Sequence, residues 1–250
     1  MTPYYETELG KLYHGDCLEI MPELEPVDLV LTSPPYNMRT RIRNGEYTTR
    51  EWSTHFSKKY EFFHDAYPIN EYYKIHKSAL IEMLKLAKTI FWNVQIVTGS
   101  KEAVFKLIGK FNKNIKDIAI WDKGFGQPSM HNNVLNRGYE LIIILEQNAS
   151  AGREFSKSTF KRGEMQDVWR INRGKPVRDH NACFSYGLTG TVLLNWESNY
   201  VLDPFLGSGT TAITCERFNR RWIGIEIEEK YCEIAAKRIE KERSQLKLFT

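Results

Sequence analysis

The chain has 250 residues, of which 42% are hydrophobic and 26% charged, and a formal net charge of +4. That is enough chain for one large domain with a full core, and the composition is ordinary for a soluble globular protein. It excludes a membrane-spanning protein, because the longest apolar runs, such as Leu141–Leu145, are strand-sized, and a disulfide scaffold, because Cys17, Cys183, Cys215 and Cys232 form no C-x-x-C pair.

The first residues, Met1 to Gly10, are polar and acidic and do not read as a secretory signal. Reduced thiols point to a cytosol, and no Cys or His spacing suggests a metal site. The first strand-like run is Lys11–Gly15, and the second is Val27–Thr32, which leads straight into Ser33-Pro34-Pro35-Tyr36. Residues 37–70 then lack periodicity and form a basic, aromatic loop. Within it, Arg39, Arg41, Arg43, Arg50, Lys58 and Lys59 face only Glu46 and Glu51 up to residue 60. Glu71–Lys88 has the apolar spacing of a helix, at Tyr72, Ile75, Leu80, Ile81, Leu84 and Leu86. Strands are predicted at Thr89–Gln95, Ile115–Trp121 and Tyr139–Glu146, with a helix over Lys101–Lys110.

A second aperiodic stretch begins at Ala149. Between residues 151 and 180, Arg153, Lys157, Lys161, Arg162, Arg170, Arg173, Lys175 and Arg178 outnumber Glu154, Glu164, Asp167 and Asp179. Two basic stretches on an otherwise acidic body suggest a polyanionic partner; two solvated loops are the plainer alternative. The chain closes with strand Tyr200–Asp203, helix Thr210–Phe218, strand Arg221–Ile227 and helix Glu228–Arg243. Near-continuous apolar strands alternating with helices predict an α/β fold: a doubly wound, mostly parallel, seven-stranded sheet in a single domain over residues 1–250.

Two strings carry chemistry. Asp203-Pro-Phe205-Leu-Gly207-Ser208-Gly209-Thr210 joins a strand to a helix. Glycines at 207 and 209 remove β-carbons that would block a ligand, and the helix start offers free N–H groups. Glu226 ends the next strand, where an acid can accept both ribose hydroxyls of an adenosine group. The same spacing fits the fingerprint G-x-G-x-x-A, so a nicotinamide or flavin cofactor is the competing reading. The second string is Ser33-Pro34-Pro35-Tyr36. Consecutive prolines fix the backbone and remove donors, so the Ser33 hydroxyl and the Pro34 carbonyl can accept from an exocyclic NH₂. Tyr36 offers a face for a base to stack on. A base inside a duplex reaches such a pocket only by flipping out. Together the strings point to methyl transfer from S-adenosylmethionine to a nucleobase amino nitrogen.

With these motifs in this order, the chain resembles the bacterial and phage amino-methyltransferases of DNA, in the permuted group whose target-amine motif precedes the cofactor motif. The resemblance implies a Rossmann-like methyltransferase sheet with long DNA-facing loops, and S-adenosylmethionine as cofactor. It makes Ser33, Pro34, Pro35 and Tyr36 the catalytic tetrapeptide. It assigns Phe205, Gly207, Ser208, Gly209 and Thr210 to the methionine-binding turn, Glu226 to the ribose and Asp16 to the neighbourhood of adenine. Asp203 reads as an acid that organises the turn, and Phe184 as a methionine contact, although His180-Asn-Ala-Cys-Phe184-Ser lacks the family's two prolines. Phe91-Trp-Asn-Val94, Trp121-Asp-Lys123 and Arg137-Gly-Tyr-Glu140 match further family strands. The resemblance makes 149–178 a small target-recognition insertion, so that Lys161, Arg162, Arg173 and Lys175, with Arg39, Arg41 and Arg43 of the first loop, would contact double-stranded DNA. Trp52, Phe56, Tyr60, Phe62 and Phe63 would fill the gap left by a flipped base or, as the plainer reading, pack their loop onto the body.

Serine at the first tetrapeptide position favours cytosine N4, with adenine N6 as the alternative. Transfer to RNA or to a protein glutamine, or a DNA-binding protein without activity, are the other classes. A homodimer and a cognate restriction endonuclease are partners that the resemblance brings with it.

Overall fold

Neighbouring residues of a strand face opposite sides of its sheet. The computed structural model describes residues 1–37, 67–124, 126, 132–149, 152, 154–172 and 185–246, and the backbone of 42–43 and 46–47. In it, the alternation feeds two separate cores. Leu29, Leu31, Phe91, Val201 and Trp222 enter one core, while Val30, Ile90, Trp92, Leu202, Ile223 and Ile225 enter the other.

The strands are β1 (Tyr5–Glu6), β2 (Gly10–His14), β3 (Val27–Thr32), β4 (Ile42–Arg43), β5 (Glu46–Tyr47), β6 (Ala87–Val94), β7 (Ile115–Asp122), β8 (Tyr139–Glu146), β9 (Val168–Arg170), β10 (Tyr200–Asp203) and β11 (Arg221–Glu226). The helices are α1 (Cys17–Ile20), α2 (Ile69–Leu86), α3 (Lys101–Lys110), α4 (Tyr186–Asn195), α5 (Thr210–Arg217) and α6 (Glu229–Leu246). The main sheet runs β1-β2-β11-β10-β3-β6-β8-β7-β9, and β4 with β5 forms a separate hairpin. From β2 across to β6 every pairing is parallel; β8 is antiparallel to both β6 and β7. All seven expected strands are present, and the short β1 and β9 extend the sheet to nine strands at its two edges.

Helices α1, α2 and α3 supply Cys17, Leu80, Met83 and Leu107 to one core. Helices α4, α5 and α6 supply Leu188, Val192, Ile213, Ala235 and Ile239 to the other. Each face of the sheet is thus covered by its own helical layer, which is the doubly wound arrangement. In such a sheet ligands bind beyond the carboxyl ends of the parallel strands, where the order of connection reverses. Here the reversal falls at β10 and β3, neighbours that come from distant parts of the chain. Their carboxyl ends carry Asp203 and Thr32. Among the described residues no helix is long and apolar enough to cross a membrane.

Candidate active site

Strand β10 ends at Asp203, a buried carboxylate that joins three parts of the edge. Its Oδ1 accepts from Thr32 Oγ1 at 2.7 Å and from the Phe205 N–H at 3.1 Å, and its Oδ2 accepts from Thr211 Oγ1 at 2.6 Å. The last residue of β3, the turn after β10 and the first turn of α5 are therefore held by one side chain. Burial raises its pKa to about 6 against these three donors. This is the organising role, and all three partners are the protein's own.

The turn that follows is tight: Gly209 N–H donates to Leu206 O at 3.1 Å, and Gly207 and Gly209 have φ of 56° and 85°. Only glycine takes such angles without strain. A Cβ on Gly209 would lie 3.0 Å from Ala235 Cβ, so α6 packs directly against the turn. Arg238, also on α6, donates to the Ser208 carbonyl, to Ser208 Oγ at 2.7 Å and to Tyr186 Oη at 2.6 Å. The Ser208 side chain is thus engaged from below, by α6.

Glu226, at the end of β11, is buried. Its Oε2 accepts from Gly207 N–H at 2.7 Å and its Oε1 from Glu228 N–H at 2.9 Å. Burial pushes its pKa up to about 7. His14 pairs with Glu226 in the sheet, and Gly15 N–H donates to Glu226 O at 3.0 Å. That register sets Asp16 beside Glu226, where its Oδ1 caps α1 by accepting from Leu18 N–H at 2.8 Å. Phe205 projects from the turn with its ring parallel to buried His76, centroids 6.1 Å apart. Thr210 opens α5 and is buried.

Directly after β3 comes the tetrapeptide. Ser33 Oγ lies 2.8 Å from Tyr36 Oη, Tyr36 donates to Glu140 Oε2 at 2.7 Å, and Tyr72 donates to Pro35 O at 2.8 Å. Asn93 Nδ2 reaches Ser33 Oγ at 3.2 Å, Tyr36 Oη at 2.8 Å and Glu140 Oε2 at 2.7 Å. Lys123 donates to Glu140 Oε1 at 3.0 Å, with both side chains buried. Burial and the Glu140 charge hold the Tyr36 hydroxyl's pKa well above its ordinary value. Asn93, Lys123 and Glu140 have no assigned role in the sequence reading. The available signal is the family strings Phe91-Trp-Asn-Val94, Trp121-Asp-Lys123 and Arg137-Gly-Tyr-Glu140 that contain them.

Sequence-predicted residues from two distant stretches therefore meet at one edge. Ser33 to Tyr36 follow β3; Asp203, Phe205, Gly207, Ser208, Gly209 and Thr210 follow β10; Glu226 and Asp16 close the next strand pair. The basic stretches divide. Phe184, Arg39, Arg41, Arg173 and Lys175 lie outside the described residues, as does the side chain of Arg43. The roots of those segments are described. Asn37 Nδ2 donates to Tyr67 O at 3.0 Å and to Gly99 O at 2.8 Å, so the segment after Tyr36 leaves and returns beside the tetrapeptide. Ser185 Oγ donates to Asn172 O at 3.4 Å, which brings together the two ends of the segment that carries Arg173 and Lys175.

Lys161 and Arg162 are exposed, but the structure does not bring them to this edge. Their stretch is anchored at the amino ends of the strands: Lys157 pairs with Asp28 near the start of β3, and Thr159 N–H donates to Asn195 O just before β10. Contact of Lys161 and Arg162 with DNA would therefore require the duplex to reach the amino side of the sheet as well. The rest of residues 154–172 builds the body. Strand β9 joins the sheet beside β7, and Phe155, Phe160 and Trp169 surround Trp196 with centroids 5.6, 5.2 and 6.3 Å from it. Among the described residues no cluster of His, Cys, Asp and Glu could hold a metal.

The chain is similar in sequence and in fold to known proteins. The chain is 26% identical over 264 residues to the type II methyltransferase M2.DpnII of Streptococcus pneumoniae, covering 96% of this chain and 93% of that protein. Its fold matches the PvuII DNA methyltransferase (cytosine-N4-specific) with a TM-score of 0.69 and 18% identity, over 97% of this chain and 93% of that one. It also matches the M1.HpyAVI–SAM complex with a TM-score of 0.61 and 19% identity, over 92% of this chain and 100% of that one. The family model described as DNA methylase, N6_N4_Mtase, matches residues 27–237 and so spans both the tetrapeptide and the cofactor turn. The chain belongs to this family of N6/N4 DNA methylases.

Proposed function

We propose that this protein, a DNA amino-methyltransferase, methylates the exocyclic N4 of cytosine at a specific site in double-stranded DNA, with the base flipped out of the helix. The observation that carries the reading is that Ser33 directly follows Thr32, whose hydroxyl bonds Asp203 at the head of the glycine turn after β10, so that the two motifs share one edge of the sheet. Serine, a neutral acceptor, supports cytosine over adenine by resemblance.

S-adenosylmethionine supplies a methyl group on a sulfonium, whose departure as a neutral thioether drives the transfer. The residues at the edge fit it. A carboxylate has about four acceptor sites. Gly207 and Glu228 occupy one on each oxygen of Glu226, which leaves one on each for two vicinal hydroxyls. Phe205 supplies an apolar wall, and Asp16 stands beyond Glu226 toward the base of an adenosine group. The target amine's lone pair is delocalised into its ring. Ser33 Oγ and the Pro34 carbonyl, accepting its two hydrogens, favour a pyramidal nitrogen and aim the lone pair. This is catalysis by position and electrostatics. No strong base is required, since the nitrogen becomes cationic on methylation and sheds one proton readily.

Ser33→Ala tests the assignment. Transfer should fall by about 100-fold or more, the scale of losing one organising hydrogen-bond partner in a reaction centre. The cofactor Kd, measured by calorimetry, should stay within about twofold, because Ser33 faces the base. Equal loss of both would remove Ser33 from the target side. Digestion of the methylated duplex to nucleosides separates the two amines: N6-methyladenine would keep the site and replace the base.

A further inference from the structure

The tetrapeptide ends in a hydrogen-bond chain whose direction is set from its buried end. Lys123 Nζ donates to Glu140 Oε1 at 3.0 Å, and their side chains are 0% and 5% exposed. A carboxylate held by an ammonium group only accepts. Tyr36 Oη, 2.7 Å from Glu140 Oε2, therefore commits its one hydrogen there. With that hydrogen spent, Tyr36 can meet Ser33 Oγ at 2.8 Å only as an acceptor, so the Ser33 O–H donates to Tyr36. Asn93 Nδ2 donates into the same cluster. Turning that amide over would place its oxygen 2.7 Å from Glu140 Oε2, acceptor against acceptor. The Ser33 hydrogen is thus assigned, and what Ser33 has left for a ligand is a lone pair.

Resting on the reading of Ser33 as the residue that meets the target amine, we infer that the Lys123–Glu140 pair, acting through Tyr36 and Asn93, locks Ser33 as an acceptor and so makes the pocket select an amino base over a keto base. Lys123, Glu140 and Asn93 are positioning residues. An amine presents N–H to the locked oxygen. A keto oxygen in its place, as in uracil for cytosine or hypoxanthine for adenine, sets lone pair against lone pair. Sites built around a fixed hydrogen-bond polarity discriminate strongly, because the wrong partner leaves buried groups unpaired.

The test compares duplex binding with the amino base and with its keto counterpart at the methylated position, for wild type, Tyr36→Phe and the paired variant Lys123→Met/Glu140→Leu. Tyr36→Phe keeps the ring and removes the link. The paired variant removes the far end without leaving one buried charge alone. A keto base also weakens pairing within the duplex, but equally for every protein, so the effect cancels in the ratio of discriminations. The expected result is that both variants lose about 10-fold of the wild-type amino-over-keto preference, the scale of one hydrogen bond at a buried site. A preference unchanged in both, with Ser33→Ala still inactive, would overturn the lock and leave the site reading standing. A wild type that shows no preference, or an active Ser33→Ala, would overturn both.

Discussion

Two carboxylates that bond the glycine turn or its flanks have different surroundings. Asp203 spends its oxygens on Thr32, Thr211 and the Phe205 N–H, while Glu226 accepts one N–H on each oxygen. Burial raises the pKa of Glu226 from 4.5 to about 7. A raised carboxyl pKa means that the folded state holds its proton more tightly than the unfolded chain. Its contribution to stability is complete below the unfolded value and is lost as pH rises through 7. The acceptor role proposed for Glu226 would run the other way, because two hydroxyls would need the carboxylate. Between pH 8 and pH 6 the ionised fraction of such a group falls about tenfold. Cofactor affinity measured by calorimetry should weaken by about that factor, and Glu226→Gln should flatten the profile. A wild-type profile that is already flat would contradict the ribose assignment. At this scale the sequence marks the residues of the proposed site through their motifs: Ser33, Glu226 and the glycines are legible as candidates because the spacing itself is the signal. Asn93, Lys123 and Glu140 are not, because what they do depends on β6, β7 and β8 lying side by side, and no local pattern encodes that.

Among the elements, α6 does more than cover the sheet. It supports the cofactor turn from behind, through Ala235 against Gly209 and Arg238 on Ser208. The absence of a Cβ at Gly209 therefore serves packing and a φ of 85° as much as ligand access. Gly209→Ala should destabilise the fold by about 1–3 kcal/mol, from left-handed strain together with an imperfect core contact, and should weaken cofactor binding by displacing the turn. Thermal melts with and without cofactor would read both. An unchanged melt would mean that α6 yields at no cost. The elements with long apolar or periodic runs are legible in the sequence: α3 spans Lys101–Lys110 as expected, and β8 spans Tyr139–Glu146. Helix α4 is not, since Tyr186-Gly-Leu-Thr-Gly-Thr-Val-Leu-Leu-Asn has two glycines and no polar face. It is held as a helix by packing on one face: Leu188, Val192 and Leu193 are buried in the core, and Thr189 bonds Thr214 at 2.7 Å. Strand β9, three residues long, is too short to show a period and forms by pairing with β7.

Over the whole molecule the charge distribution now has a direction. The segments after Tyr36 and after Asn172 are rooted at the carboxyl edge, whereas Lys161 and Arg162 follow anchors at the opposite side of the sheet. Each phosphate contact adds close to one unit to the salt dependence of duplex binding. Replacing Arg39, Arg41 and Arg43 by alanine should reduce that slope by about two to three and weaken binding to all sequences. Replacing Lys161 and Arg162 should leave the slope unchanged. A reversed outcome would place the duplex on the amino side of the sheet, away from Ser33.

The joined ends of β3 and β10 are proposed to form one methyl-transfer site for a DNA amine. This is tested most directly by incubating mixed-sequence double-stranded DNA with the protein and S-adenosylmethionine, digesting the DNA to nucleosides and weighing the products. The wild type should yield N4-methylcytosine, and Ser33→Ala should yield none. A wild type that binds both cofactor and duplex yet yields no methylated nucleoside would contradict this.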